Sequence, residues 1–342
     1  MKAKIKPRID LENRTKLETV IPLSVPFVIF VDPSDLCNFH CKFCPTGDIK
    51  LMKKVGRSLK IMDFNLYKKI IDDICEFEKP IKVLRLYKDG EPLLNPRFAD
   101  MVRYAKEKKC AERIDTTTNA SLLNPKINLD IIEAGLDRIN ISIEGVNENQ
   151  YSTFSNYKID FEKLIENIRH LYNNRKNCEI IIKINGDTIS DDDKKKFYEI
   201  FGDIADGVYI EHIMSCWPGF DLNARGVKVN QEFGIYGQKI KEVQVCPYVF
   251  YSFSINSDGS ASACFLDWSR KLIIGDVKKE SVKDIWNGKK LFNLQKMFLE
   301  KRRKEHSVCG NCGQMSHGMP DDIDNFANEL LKKISRKKKY ES

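Results

Sequence analysis

The sequence predicts an α/β fold: six strand–helix units in a parallel sheet or partial barrel, then a small cysteine-bearing hairpin-plus-helix unit. Three observations predict it. Short Ile/Val-rich runs alternate with longer amphipathic stretches between residues 25 and 213, the alternation stops near residue 235, and a turn signal with grouped cysteines follows. The 342 residues are 42% hydrophobic and 31% charged, an ordinary globular composition that excludes a wholly disordered chain.

The strand candidates are Val25–Val31, Ile81–Tyr87, Arg113–Thr117, Arg138–Ile143, Glu179–Ile184 and Val208–Ile213. They read as mostly apolar on both faces, as buried parallel strands do. Between them, Asp63 is suited to cap a helix over Asp63–Phe77 that carries Leu66, Ile70, Ile71 and Ile74. A second helix, Asn128–Ala134, stops at Gly135, and Phe161, Leu164, Ile165, Ile168, Leu171 and Tyr172 mark one face of a third. A full eight-unit barrel needs two more units than the chain supplies. Beyond it, Asp258-Gly259 between short apolar segments predicts a hairpin within Val249–Leu266, with helices over Ser281–Trp286 and Lys290–Arg303. The expected divisions are a basic segment 1–20, the strand–helix domain 21–235, the cysteine-bearing domain 236–320 and a basic helix or tail 321–342.

The net charge of +8 sits at the ends: residues 1–20 hold six Lys/Arg against three Asp/Glu, and residues 331–342 hold six against one. The chain between is neutral, so a nucleic-acid surface is not expected. The run Arg336-Lys337-Lys338-Lys339 reads as a solvated tail. The uncharged run Val20–Val31 has 12 residues and is broken by Pro22 and Pro26, too short to cross a bilayer. The reading is a cytoplasmic protein without a membrane partner, in which thiols stay reduced. Grouped cysteines then point to metal rather than disulfides.

Of the 11 cysteines, Cys37, Cys41 and Cys44 form one group and Cys246, Cys264, Cys309 and Cys312 another. The first group follows the first strand directly, at the edge of a parallel sheet where ligand sites form. Three thiolates on one loop suit an iron–sulfur cube with an open iron; a zinc loop and chance clustering are the alternatives. His40 is a conceivable fourth ligand, but it sits between two ligands with its ring expected to point outward. Four thiolates in the second group suit a closed cube or a structural zinc.

Cys37-x3-Cys41-x-Phe43-Cys44 resembles the motif of the radical S-adenosylmethionine (SAM) enzymes. Asp89-Gly90-Glu91-Pro92 is similar to that family's Gly-Gly-Glu-Pro segment, with Asp89 in place of the first Gly. The resemblance implies two 4Fe–4S clusters, one holding SAM. It places Phe43, Gly90, Glu91, Pro92, Thr117, Asn119, Ser142, Glu144 and Lys183 around SAM, with Glu91 on its amino-group side and Lys183 toward its carboxylate. Cys246-Pro247, the Asp258-Gly259 turn, Cys264, Ile274-Gly275-Asp276-Val277 and Val282-x3-Trp286 resemble the SPASM/twitch extension, which binds auxiliary 4Fe–4S clusters. With no cysteine after Cys312, the extension is truncated to one cluster. In this it is similar to 2-deoxy-scyllo-inosamine dehydrogenase, which oxidises a ring alcohol.

The resemblance implies an oxidoreductase that uses a 5′-deoxyadenosyl radical on a hydroxyl-bearing carbon of a sugar, aminocyclitol or nucleotide sugar. The auxiliary cluster would accept an electron, and a flavodoxin or ferredoxin would supply the first one. The alternative is peptide crosslinking or epimerisation; the 36 residues before Cys37 are too few for the winged-helix module many such enzymes carry there. A two-cluster electron carrier leaves the three-cysteine site unexplained. For substrate, Cys216, His212 and Arg225 are the candidate catalytic residues, with Tyr209 and Glu211 beside them on the sixth strand.

Overall fold

The computed structural model describes residues 1–340. Ten strands form one sheet. They are β1 (Lys4–Ile5), β2 (Val28–Val31), β3 (Ile81–Arg85), β4 (Ala111–Thr118), β5 (Arg138–Ile143), β6 (Glu179–Asn185), β7 (Gly207–Glu211), β8 (Ser252–Ile255), β9 (Ser260–Ser262) and β10 (Ile273–Asp276), in the order β1-β7-β6-β5-β4-β3-β2-β8-β9-β10. Strands β2 to β7 are the six expected units, all parallel, forming the partial barrel. The C-terminal hairpin joins the same sheet, because β8 runs parallel to β2 from Val28↔Ser252 to Val31↔Ile255.

Side chains alternate across a strand, so one face of each barrel strand meets helices and the other meets the lumen. Ile29, Leu84, Ile114, Ile139, Ile141, Ile180, Ile182 and Val208 are buried on the helix-covered face. The opposite positions are not the apolar ones the sequence reading expected. They hold Phe30, Arg85, Asp115, Thr117, Asn140, Ser142, Lys183, Tyr209 and Glu211, a largely polar lumen.

Local chemistry sets the helices. Asp63 accepts from Asn65 and Leu66 N–H to start Phe64–Ile74, Asn124 caps Pro125–Glu133, and Asp160 caps Phe161–Asn174. Two further helices, Phe98–Lys108 and Asp191–Phe201, complete the ring. The C-terminal helix Val282–Trp286 docks on the first of these, where the buried Asp73 carboxylate accepts from Val282 N–H at 3.1 Å.

The basic C-terminal run corrects the expectation of a solvated tail. It continues the helix Ala327–Tyr340, whose Ala327, Leu330 and Ile334 are buried. Lys337 and Lys338 donate to the Leu23 and Asn287 carbonyls at 3.4 and 2.8 Å. Residues 341 and 342 lie outside the described residues. Among the described residues no helix is long and apolar enough to cross a membrane.

Candidate functional site

The first cysteine loop leaves the carboxyl end of β2 and ends at Asp48, which caps the helix Ile49–Lys54. Tight backbone packing shapes it. A Cβ on Gly47 would meet the Cys41 carbonyl oxygen at 2.6 Å, and one on Gly90 would meet the Ser34 and Leu36 oxygens at 2.1 and 2.2 Å. Gly90 therefore lets the Asp-Gly-Glu-Pro loop lie directly on the cysteine loop, where Glu91 N–H donates to the Leu36 carbonyl at 2.8 Å. His40 points away as expected, half of a 3.1 Å contact with the Gly47 carbonyl.

Glu91 does not present a free carboxylate. Its oxygens accept from Thr118 Oγ1 at 2.6 Å, Asn119 N–H at 2.8 Å and Leu93 N–H at 3.0 Å. Burial pushes its pKa up to about 7 against those three donors. Glu91 thus holds the end of β4 in register with the cysteine loop, and Asn119 in turn sets its amide 4.0 Å from the Cys37 sulfur and 2.9 Å from Asn38 Oδ1. Glu91→Ala is expected to weaken SAM binding about tenfold, since a broken buried network costs roughly 1–3 kcal/mol. Equilibrium SAM titration of the reconstituted protein checks this, with unchanged affinity overturning the placement.

Burial pushes the Cys37, Cys41 and Cys44 thiols above their ordinary pKa. Thiolates there need a strong positive charge beside them, which bound iron provides. Phe43 packs on an apolar cluster with Met52, Ile213, Phe220 and Trp268.

Cys246, Cys264, Cys309 and Cys312 line one small apolar cavity. Leu266, Leu272, Leu294, Phe298 and Met315 make its walls, and the buried Arg303 stands at its edge with Nε donating to the Gln244 carbonyl at 3.1 Å. A tetrahedral zinc sets its sulfurs about 3.8 Å apart, from Zn–S bonds of about 2.3 Å. Among the described residues, the one group of three or more acidic, His or Cys ligand atoms within 4.8 Å of one another is Asp32, Asp35 and Asp89. No three of these sulfurs therefore lie within 4.8 Å of one another, so the set is not drawn in to tetrahedral zinc spacing.

Cys216 lies between the two sites. Burial, then the neighbouring Cys312 and Cys44, push its thiol up to about 12. Its carbonyl is 3.7 Å from the Cys312 sulfur.

The other sequence candidates have protein partners. His212 Nδ1 lies 2.8 Å from Asp187 Oδ1, and its ring stacks near Phe233. Arg225 holds Asp48 at 2.8 Å, tying its connection to the cap that ends the cysteine loop. Lys183 meets Glu211 at 2.5 Å rather than standing free for a ligand carboxylate. Tyr209 donates to the Tyr236 carbonyl at 2.7 Å. Glu144 is half-buried; desolvation, opposed by Lys183, pushes it up to about 7, and Ser142 and Thr117 line the same lumen. Thr117 Oγ1 is buried without a hydrogen-bond partner among the described residues.

Sequence reasoning missed two clusters. Arg8, Arg85, Asp115 and Tyr236 converge in the lumen. Asp32, Asp35 and Asp89 face Arg57, Lys88 and Arg270 at the junction with the C-terminal unit. Three cations against three carboxylates leave the latter group no net charge to attract a metal.

Comparison with known proteins agrees with this geometry. Residues 31–197 match the Radical SAM superfamily and residues 246–313 the SPASM iron–sulfur cluster-binding domain. The S-adenosyl-L-methionine-dependent 2-deoxy-scyllo-inosamine dehydrogenase of Niallia circulans is 21% identical over 298 residues, covering 87% of this chain and 96% of that one. The tungsten-containing aldehyde ferredoxin oxidoreductase cofactor-modifying protein of Pyrococcus furiosus is 28% identical over 123 residues, 34% of this chain; the match spans only 30% of that protein's length. Among solved structures, BtrN in complex with AdoMet and 2-DOIA superposes with a TM-score of 0.57 at 18% identity, over 88% of this chain and 98% of BtrN. Streptococcus suis SuiB bound to precursor peptide SuiA gives 0.58 at 13% identity, over 91% and 75%. These structural likenesses show the fold alone. With its three-cysteine loop and its four-cysteine cavity, the chain belongs to the radical SAM enzymes that carry a SPASM-type iron–sulfur domain, and its cofactors are SAM, a 4Fe–4S cluster and an auxiliary iron–sulfur cluster.

Proposed function

We propose that this enzyme oxidises a hydroxyl-bearing carbon of a sugar, aminocyclitol or nucleotide sugar. The observation that carries the reading is the single four-cysteine cavity, closed by protein ligands, set across Cys216 from the three-cysteine loop. When bound, these cofactors would supply hydrogen-atom abstraction from carbon and take up one electron, while the hydroxyl proton leaves to a base or water, as the alcohol becomes a carbonyl. The near full-length relation to a ring-alcohol dehydrogenase supports the same reading. Cys37, Cys41 and Cys44 would hold one cluster, and Cys246, Cys264, Cys309 and Cys312 the other. Phe43, Gly90, Glu91, Pro92, Thr117, Asn119, Ser142 and Glu144 would surround SAM, and an external flavodoxin or ferredoxin would supply the low-potential electron.

The chain's residues keep the site dry. Phe30 stacks on Phe265 at 4.6 Å, and Phe265 meets Tyr248 edge-on at 5.1 Å. Phe265 follows Cys264 and Tyr248 follows the Cys246-Pro247 pair, so this aromatic layer lies between lumen and cavity, where a reactive radical must be shielded from water.

The position of Cys216 favours a second reading, epimerisation, in which its thiol returns a hydrogen atom to the opposite face of the substrate. The test is a SAM-cleavage assay with a panel of sugars, aminocyclitols, nucleotide sugars and short peptides. For a dehydrogenase, Cys216→Ala leaves turnover within about threefold and solvent deuterium is not incorporated. Deuterium at an inverted carbon, with inversion lost in Cys216→Ala while 5′-deoxyadenosine still forms, would overturn the oxidation reading.

A further inference from the structure

The lumen carries positive charge that the described residues do not balance. Glu211 meets Lys183 at 2.5 Å and Arg8 at 3.4 Å. Asp115 meets Arg113 at 3.2 Å and Arg85 at 3.7 Å, and Glu179, at the floor, meets Lys6 at 2.5 Å and Arg138 at 2.6 Å. Each carboxylate serves two cations, six against three. Glu144, facing Lys183, is a fourth carboxylate in the same lumen and still leaves the cations in excess.

Two of the six cations converge on the place where substrate must sit. Arg8 enters from the segment after β1, which crosses beneath the barrel and is held there by Arg138 donating to the Arg8 carbonyl at 2.8 Å. Arg85 projects from β3, its guanidinium 5.2 Å from the centre of Phe30 and its Nη1 donating to the Tyr87 hydroxyl at 3.2 Å. The field of Arg8 reaches Cys216, the residue between the two cluster sites. Both Nε atoms are buried and make no hydrogen bond among the described residues; each is left a long ion pair, Arg8 Nε with Glu211 Oε1 at 3.4 Å and Arg85 Nε with Asp115 Oδ1 at 3.7 Å. An unsatisfied buried donor of this kind costs roughly 1–3 kcal/mol, and a guanidinium fork matches a phosphate or carboxylate edge.

We infer that Arg8 and Arg85 hold an oxyanion, a phosphate or carboxylate, of a small-molecule substrate inside the barrel. The inference rests on the small-molecule reading above and narrows it to anionic substrates such as sugar phosphates or sugar acids. A neutral sugar, or an aminocyclitol with no anion, would leave both forks with only these long ion pairs to shared carboxylates.

The experiment is calorimetric titration of the anaerobically reconstituted, SAM-loaded enzyme with glucose 1-phosphate, glucuronate, glucose, 2-deoxy-scyllo-inosamine and inorganic pyrophosphate. At least one anionic probe is expected to bind ten times or more tighter than glucose, and the stronger of glucose 1-phosphate and glucuronate names the anion. Arg8→Gln and Arg85→Gln should each weaken that binding about tenfold or more, with SAM affinity and iron content unchanged. If Arg85→Gln does not fold, Arg8→Gln against Arg8→Lys carries the test, the lysine retaining part of the affinity. Equal binding of glucose and the anions, no oxyanion binding at millimolar concentration, or a loss confined to SAM affinity in the variants overturns the inference. Oxidation of a neutral alcohol would sink it while sparing the oxidation reading; tight anion binding with no oxidised product would do the reverse.

Discussion

Replacing Cys37, Cys41 and Cys44 together by Ala is expected to abolish 5′-deoxyadenosine formation completely while leaving half of the iron. Two cubes give about eight iron and eight sulfide per chain, so the triple variant should retain about four of each. The effect should be all-or-none for cleavage because the three thiols share one loop, and the Asp-Gly-Glu-Pro loop lies directly on it through Gly90 and the Glu91 N–H. The second set should be untouched, since its cavity is built from Cys246, Cys264, Cys309 and Cys312 and walled by C-terminal side chains. Anaerobic reconstitution with iron and sulfide analysis, beside a cleavage assay under strong reduction, reads both quantities. Zinc without sulfide in the triple variant would mean that the second site is a structural zinc centre and not a cube.

The sequence made the barrel strands and the cysteine sites legible for different reasons. Ile and Val runs betray β2 to β7 because their helix-covered faces are mostly apolar, as Ile180 and Ile182 on β6 illustrate. The lumen face was legible only where the family resemblance reached it, at Thr117, Ser142, Glu144 and Lys183. Arg85, Asp115 and Lys183 sit in strands where a linear reading takes a charge for a strand end, and only the closure of the sheet turns them inward. Arg8 was hidden by its neighbours, since a lysine-rich N-terminus reads as a solvated segment until β1 pairs with β7 and carries it under the barrel. The helix Phe98–Lys108 has no side-chain cap and ends at Lys109 with φ of 54°, so it lacked the capping residue and the glycine stop that mark a helix in sequence. Spacing alone exposed the cysteines, because metal ligation constrains residue type as well as position. It could not reveal that Cys216 would fall between the two sets, which depends on how the connection after β7 folds back.

Arg270→Ala is expected to destabilise the protein by about 3–5 kcal/mol, the range for removing one partner of a buried ionic network. Arg270 lies in the C-terminal unit, yet its Nη2 meets Asp35 at 2.8 Å and its Nη1 meets Asp89 at 2.8 Å, with Asp32 at 3.7 Å. These carboxylates belong to the loops after β2 and β3, so the contact fastens the cysteine loop and the Asp-Gly-Glu-Pro loop to the auxiliary site. Arg57 and Lys88 alone would then face three carboxylates. Among the three, Asp32 is the one the site holds least well. It is 0% exposed, neither oxygen has a hydrogen-bond partner among the described residues, and burial with Asp89 and Asp35 nearby raises it to about 7. A carboxylate raised in the folded state favours folding fully below its unfolded value of about 3.9, and that advantage is lost as pH rises toward the folded value. Asp32→Asn removes the loss. Its stability relative to wild type should therefore improve by about 2–3 kcal/mol on going from pH 5 to pH 7.5, at about 1.4 kcal/mol per pH unit. The same substitution should recover part of the stability lost in Arg270→Ala, since it restores two cations against two carboxylates. Anaerobic thermal melts of the four proteins at both pH values test the scheme. A cost for Arg270→Ala under about 1 kcal/mol, or no relief from Asp32→Asn at pH 7.5, would show that the junction is held by apolar packing and not by this network.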